Sequence, residues 1–268
     1  SKTQIKQAID KGCLWLTDGK KTKRLRKIKR SLPENSELHF YYNEQVLSQT
    51  CPEANLIVDC QDYSIWYKPY GMLSQGSKWS DHCTIARWVE KQLHPQRPSF
   101  IVHRLDRAAS GLIIIAHSRN AVKALSAMFE HHQIEKHYQI ITHGECQLNE
   151  TITVDAKIDD KNALSHFTGR HYRQDADISL FDVHIETGRK HQIRKHAHLL
   201  GYPVIGDRLH GKQNENYPES LNLQLCSTSM KFICPITQAQ INVTLPEHLR
   251  LSIDGISQQL KPDSVAKN

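Results

Sequence analysis

The stretch FIVHRLDRAASGLIIIA, Phe100 to Ala116, sets Arg104 and Asp106 between two apolar runs whose composition predicts buried strands. Burying an unpaired carboxylate is costly and normally raises its pKa until it neutralises. Asp106 therefore needs a cation. Arg104, two residues earlier, shares its face only if the strand continues, and a turn at Asp106 would break that relation. Arg107 reads as solvated. The small residues of RAASG permit a tight turn and let a ligand's backbone come close.

The cation is sought in a second stretch, ETGRKHQIRKHAHLLGYPVIGDRLHG, Glu186 to Gly211. A helix is predicted from His191, with Ile193, Ala197 and Leu200 as its core stripe, Gly201 as its stop and Pro203 beyond. His191, Arg194 and His198 then share a neighbouring face beside the core, as a groove wall would, and Arg194 is the candidate to meet Asp106. One confined acid with one guanidinium suits nucleophilic catalysis better than glycoside hydrolysis, which wants two carboxylates. There is no Ser-His-Asp order and no phosphate-cradling glycine loop. The 17 histidines are scattered and the seven cysteines form no CxxC pair, so neither a metal nor a disulfide framework is expected.

These residues need elements to hold them. YSIWYKP reads as a strand ending at Pro69. TIARWVEKQL puts Ile85, Trp88, Val89 and Leu93 on one helical face, and NAVKALSAMF does the same with Ala121, Val122, Leu125, Met128 and Phe129. LFDVHIE alternates as a half-buried antiparallel strand does. Strands and helices mix without a βαβ rhythm, which predicts an α+β fold with a mixed, mainly antiparallel sheet and flanking helices.

Ahead of this, Ile5, Ala8 and Ile9 form a short helical pattern that stops at Gly12, followed by a strand at LWL, a turn at DG and a closing strand at LHFYY. The expected division is a small α+β module over 1–46, a catalytic domain over 47–252 and a frayed tail over 253–268. Lys20, Lys21, Lys23, Arg24, Arg26, Lys27, Lys29 and Arg30 crowd into one acid-free run, and the whole chain carries only +7, so the remainder is nearly neutral. So dense a run repels itself and reads as a phosphate-facing patch. No apolar run is long enough to span a membrane, and an intracellular, cytoplasmic protein is expected.

HRLDRAASGL resembles the HRLDxxTSGL motif of the RluA-type pseudouridine synthases. YKPYG resembles their KPxG, KHY their KxY, and GRKHQIRKHAHLLGYPVIGDRLHG their GRxHQIRxHxxxxGxPIxGDxxYG; a weaker match lies at LQLCSTSMKF. The motifs run in family order from about Tyr67 to Gly211. The N-terminal module resembles the latter half of the small RNA-binding fold first described in the fourth protein of the small ribosomal subunit, without its first helix.

The resemblance implies cofactor-free isomerisation of uridine within RNA by a monomer. Asp106 would be the nucleophile or the stabiliser of the cleaved sugar, and Arg194 would pair with it and aim it. Tyr138 would pack on the target base and assist proton loss. Arg104 would fill the gap left when the uridine flips out, since a stacked base is out of reach. His103, Lys136, Arg189 and His191 are placed around the substrate, and Leu225 in the lining of the base pocket. Large-subunit (23S) ribosomal RNA is the expected target, with transfer RNA second and a catalytically idle RNA-binding or ribosome-assembly protein as the other class. Ala109 for Thr, His210 for Tyr and the LCS of Leu225 to Ser227 for LHA depart from the family pattern.

Overall fold

The run GLIIIA is apolar at every position, and a strand can be so only where both of its faces are covered. In the computed structural model, which describes residues 1–26, 31–212, 217–218 and 220–260, this run is a strand with no solvent exposure from Leu112 to Ala116. Ile113 and Ile115 enter one apolar cluster, and Leu112, Ile114 and Ala116 enter a second on the opposite face.

The chain begins with helix α1 (Lys2–Asp10), capped reciprocally by Ser1 and Gln4, then strands β1 (Leu14–Asp18), β2 (Lys21–Arg24) and β3 (Glu37–Phe40) and a short helix α2 (Glu44–Leu47). The three strands form a separate antiparallel sheet in the order β2-β1-β3. Ala8, Cys13 and Leu47 make its small core.

There follow β4 (Asn55–Asp59), β5 (Tyr63–Lys68), α3 (Ile85–Gln92), β6 (Phe100–Ile101), β7 (Ser110–Ala116), α4 (Arg119–Glu130), β8 (Ile134–His143), β9 (Thr151–Asp155), β10 (Leu164–Arg173), β11 (Ile178–Ile185), α5 (Gln192–Leu199), β12 (Leu225–Ile233), β13 (Gln240–Thr244) and α6 (Ile253–Leu260). All ten strands join one sheet, ordered β4-β5-β7-β12-β8-β11-β10-β9, with β13 on β12 and β6 on β7. Among the described residues only strands β7 and β12 pair in parallel, so the sheet is mixed and mainly antiparallel, as the sequence predicts. Helices α3 and α4 are N-capped by Thr84 and Ser118 and bury the predicted stripes at Ile85 and Val89 and at Ala121, Leu125 and Met128. No helix of the described residues is long and apolar enough to cross a membrane.

Three expectations need correcting. The first apolar run before Asp106 yields only the two-residue β6, because the chain leaves the sheet at Val102 and carries His103 to Asp106 in a loop. The segment read as a frayed tail includes α6, whose Ile253 and Ile256 pack with Ile141, Ile178 and Ile205; residues 261–268 lie outside the described set. His198 is exposed and does not join a groove wall, whereas His196 is buried, bonded to Ser165 Oγ and Ala156 O.

The parallel pairing depends on Gly111. Its φ of +112° is one that L side chains rarely adopt, and a Cβ there would stand 2.3 Å from both the backbone nitrogen and oxygen of Ser227. Gly111→Ala should therefore destabilise the protein by more than about 3 kcal/mol, read as a fall in thermal midpoint; a midpoint within a degree of the unsubstituted chain would contradict this register.

Candidate active site

Arg194 rises from the first turn of α5 with only 4 % of its side chain exposed. Its Nε and Nη2 donate to the two carboxylate oxygens of Asp207 at 2.7 and 2.6 Å, a bidentate pair sealed from solvent, since the Asp207 side chain is 0 % exposed. The remaining Nη1 donates to Asp106 Oδ2 at 3.1 Å. One guanidinium thus bridges a buried acid and an acid that is 29 % exposed. The expected Asp106–Arg194 contact is present, but the sequence reading of one lone carboxylate was incomplete. Asp207 is the residue it missed, and the signal was a single acid closing the apolar run YPVIGD.

Asp207 also accepts from the amides of Leu209 and His210. Burial works to raise its pKa, and these bonds with Arg194 overcome that and hold it below the ordinary carboxylate value. On the other side of Asp106 stands His191, in the left-handed region at φ 57°, with Nε2 3.7 Å from Asp106 Oδ2 and Nδ1 2.9 Å from Nε2 of His210. Burial lowers the pKa of both imidazoles. At 3.7 Å the His191–Asp106 contact is electrostatic, and the short His191–His210 contact has one ring donating to the other.

The loop bearing Asp106 is fixed from below. Lys68 ends β5 fully buried, its Nζ donating to the carbonyls of Pro69, Met72 and Ala109 at 3.1, 2.9 and 2.6 Å. Burial pulls its pKa down to about 7, against the opposing pull of Asp106. Ser74 closes the same seam, its hydroxyl donating to Leu105 O and accepting from Leu105 N–H. Lys68 is the lysine of the YKPYG match, which carried no role from sequence, and Ser74 had no sequence signal.

Asp106, Arg104, Tyr138, Lys136 and Arg189 line one cavity of about 720 Å³, within the ~300–1,000 Å³ range of ligand sites. Tyr138 is buried, and burial first, with the Asp106 charge adding to it, pushes its phenol up to about 12. At neutral pH the phenol is protonated. Arg104 is exposed at the rim, 3.4 Å from Gln75 Oε1, and Arg189 Nε donates to Asn162 O. His103 is spent on the wall: its Nε2 accepts from Ile114 N–H, its ring stacks on Phe129 at 4.2 Å, and burial pushes its pKa down to about 3. Leu225 belongs to the apolar core with Ile140, in register beside it, and not to the cavity lining.

The basic run is only partly a free patch. Arg24 and Arg26 both pair with Asp81 of the larger sheet's connections, and Arg24 also donates to Ser77 O at 2.7 Å while lying over Trp15. These two cations clamp the small sheet in place. Lys20, Lys21 and Lys23 are exposed; Lys27, Lys29 and Arg30 lie outside the described residues.

The family model described as RNA pseudouridylate synthase matches residues 62–199, which hold Lys68, Asp106, Tyr138 and Arg194. The chain belongs to that family. A protein of Aquifex aeolicus named as an uncharacterized RNA pseudouridine synthase is 26 % identical over 82 % of this chain and 76 % of its own length. A Vibrio parahaemolyticus protein named tRNA pseudouridine synthase C is 31 % identical over 72 % of this chain and 87 % of its own. The solved human RNA pseudouridylate synthase domain containing 1 shares the fold with a TM-score of 0.61 at 20 % identity, over 78 % of this chain and 94 % of that one. The protein is an RNA pseudouridine synthase of the RluA type.

For this synthase the Asp207 pair has a pH signature. A carboxylate held below its ordinary value contributes stability that is present above about pH 4 and lost as pH falls through the lowered folded value. Asp207→Asn should be less stable than the unsubstituted chain at pH 7, by about 3–5 kcal/mol because Arg194 loses its buried partner. The gap should narrow below pH 4. A gap that stays constant down to pH 2.5 in urea titrations would contradict the pairing.

Proposed function

We propose that this synthase isomerises a uridine in transfer RNA, with Asp106 as the group that engages the target nucleotide. In the reaction the N1–C1′ bond breaks and the C5–C1′ bond forms; C5 gives up a proton and N1 gains one. The observation that carries the assignment is that Asp106, alone among the acids tied to Arg194, opens into the cavity. Arg194 fixes one carboxylate oxygen and leaves Oδ1 free of it to face a substrate. Tyr138 supplies a flat, protonated ring two residues along β8 from Lys136, on the same face, for the everted base to lie against. Arg104, exposed on the rim, is placed to occupy the gap in the RNA stack.

The RNA class rests on the relatives. Several bear the name tRNA pseudouridine synthase C, from Vibrio and Haemophilus among others, and match over most of their own length. The second reading, 23S ribosomal RNA, rests on the small sheet as an RNA-facing module over residues 1–46, and on exposed Lys20, Lys21 and Lys23 at its β2 edge. The commitment of Arg24 and Arg26 to Asp81 removes part of that support.

Incubating the chain with transfer RNA and 23S RNA transcripts, then mapping pseudouridine chemically, tests both parts. Transfer RNA should be modified. Asp106→Asn should slow the reaction by a factor on the order of 10⁴ or more. Isomerisation undiminished by that change would move the chemistry elsewhere, and modification of 23S RNA alone would replace the RNA class.

A further inference from the structure

Five cations line the catalytic cavity: Arg104, Arg107, Lys136, Arg189 and Lys190. Four of them are at least partly solvated. Lys136 differs, being only 5 % exposed. Its ammonium has no hydrogen bond or ion pair among the described residues, whereas the other buried lysine of the site, Lys68, has three carbonyl acceptors. Burial alone lowers the Lys136 pKa, and no carboxylate offsets it. Its charge helps depress the pKa values of two imidazoles of the same lining, His103 and His132, after their own burial.

A largely buried lysine with no protein partner for its ammonium carries a desolvation cost that proteins normally offset by pairing, and here the Nζ is not among the fully enclosed polar atoms but meets solvent at the cavity it lines. Here the group lies on the cavity-facing side of β8, in register with Ile185 and two residues from Tyr138. Its partner must therefore come from the ligand. The uracil carbonyls are neutral acceptors, whereas a charge-assisted bond to an anionic oxygen is roughly twice as strong as a neutral one. The only full anions RNA brings to such a cavity are its phosphates.

Resting on the reading of this cavity as the seat of an everted uridine, we propose that Lys136 binds a phosphate oxygen of the RNA strand beside that nucleotide. Arg104 and the other rim cations bind phosphates at the exposed edge; Lys136 binds one from the cavity wall. The residue thus recognises the strand entering the cavity and not the base itself.

Lys136→Met keeps the stem and removes the charge. RNA affinity, measured by fluorescence anisotropy across a salt series, should weaken about ten-fold at low salt. The slope of log K against log salt should flatten by about 0.7 to 0.9, one phosphate's worth. The thermal midpoint of the free protein should stay level or rise, since a charge with no protein partner has gone from a largely buried side chain. Lys136→Arg should restore the slope.

An unchanged slope and affinity in Lys136→Met would overturn the proposal. So would a lost affinity with an unchanged slope, which would mark a base carbonyl as the partner, or a fall in midpoint that Lys136→Arg does not repair. Both readouts are of binding and stability. Failure of the isomerase reading would instead show as absent pseudouridine in the unsubstituted protein, with the slope measured all the same.

Discussion

A single guanidinium shared between two carboxylates organises this protein's site. Arg194 could not sit buried without an anion, because a desolvated charge with no partner costs more than a fold of this size can spare. Asp207 is that anion, fully enclosed and held by four hydrogen bonds, two from Arg194 and two from backbone amides. Having fixed Arg194 in position and orientation, Asp207 leaves its third nitrogen with one direction to point. Asp106 occupies that direction. The half-open acid is thereby aimed by a buried one that touches no solvent.

The rest of the fold serves to bring these three side chains together from distant parts of the chain. Asp106 lies in the loop entering β7, Arg194 on α5 and Asp207 in the connection before β12. Strand β7 pairs with β12 in parallel through the close approach at Gly111, which brings the Asp106 loop and the end of the Asp207 connection to the same part of the sheet. Lys68 then stitches the loop after β5 to the carbonyl of Ala109, so the segment carrying Asp106 has little freedom. Precision of this kind comes from strands and buried hydrogen bonds, not from the loop itself.

Much of this was legible in the sequence. The all-apolar GLIIIA identified a central strand, and the alternation of LFDVHIE a half-covered one, because strand periodicity reports how many faces are buried. The pairing of Asp106 with Arg194 followed from asking what could neutralise a confined acid. Asp207 stands in the matched motif and closes the apolar run YPVIGD, but which cation it pairs with is set only once α5 is folded over it. The basic run misled for a related reason. Arg24 and Arg26 look like their neighbours in a linear reading, and only the fold reveals Asp81 beside them. The helix at Ile253–Leu260 was overlooked because its two apolar anchors, Ile253 and Ile256, are too few to stand out from a polar tail.

If Asp207 influences the chemistry only by holding Arg194, the two residues must act as one unit. Single-turnover rates of the Asp207→Asn, Arg194→Lys and doubly substituted enzymes measure this as a cycle. The rate of the double variant should be no lower than that of the slower single variant, a coupling close to the whole of the smaller effect. Rate losses that simply multiply would mean that Asp207 and Arg194 serve the reaction separately, and the shared guanidinium would no longer explain the site.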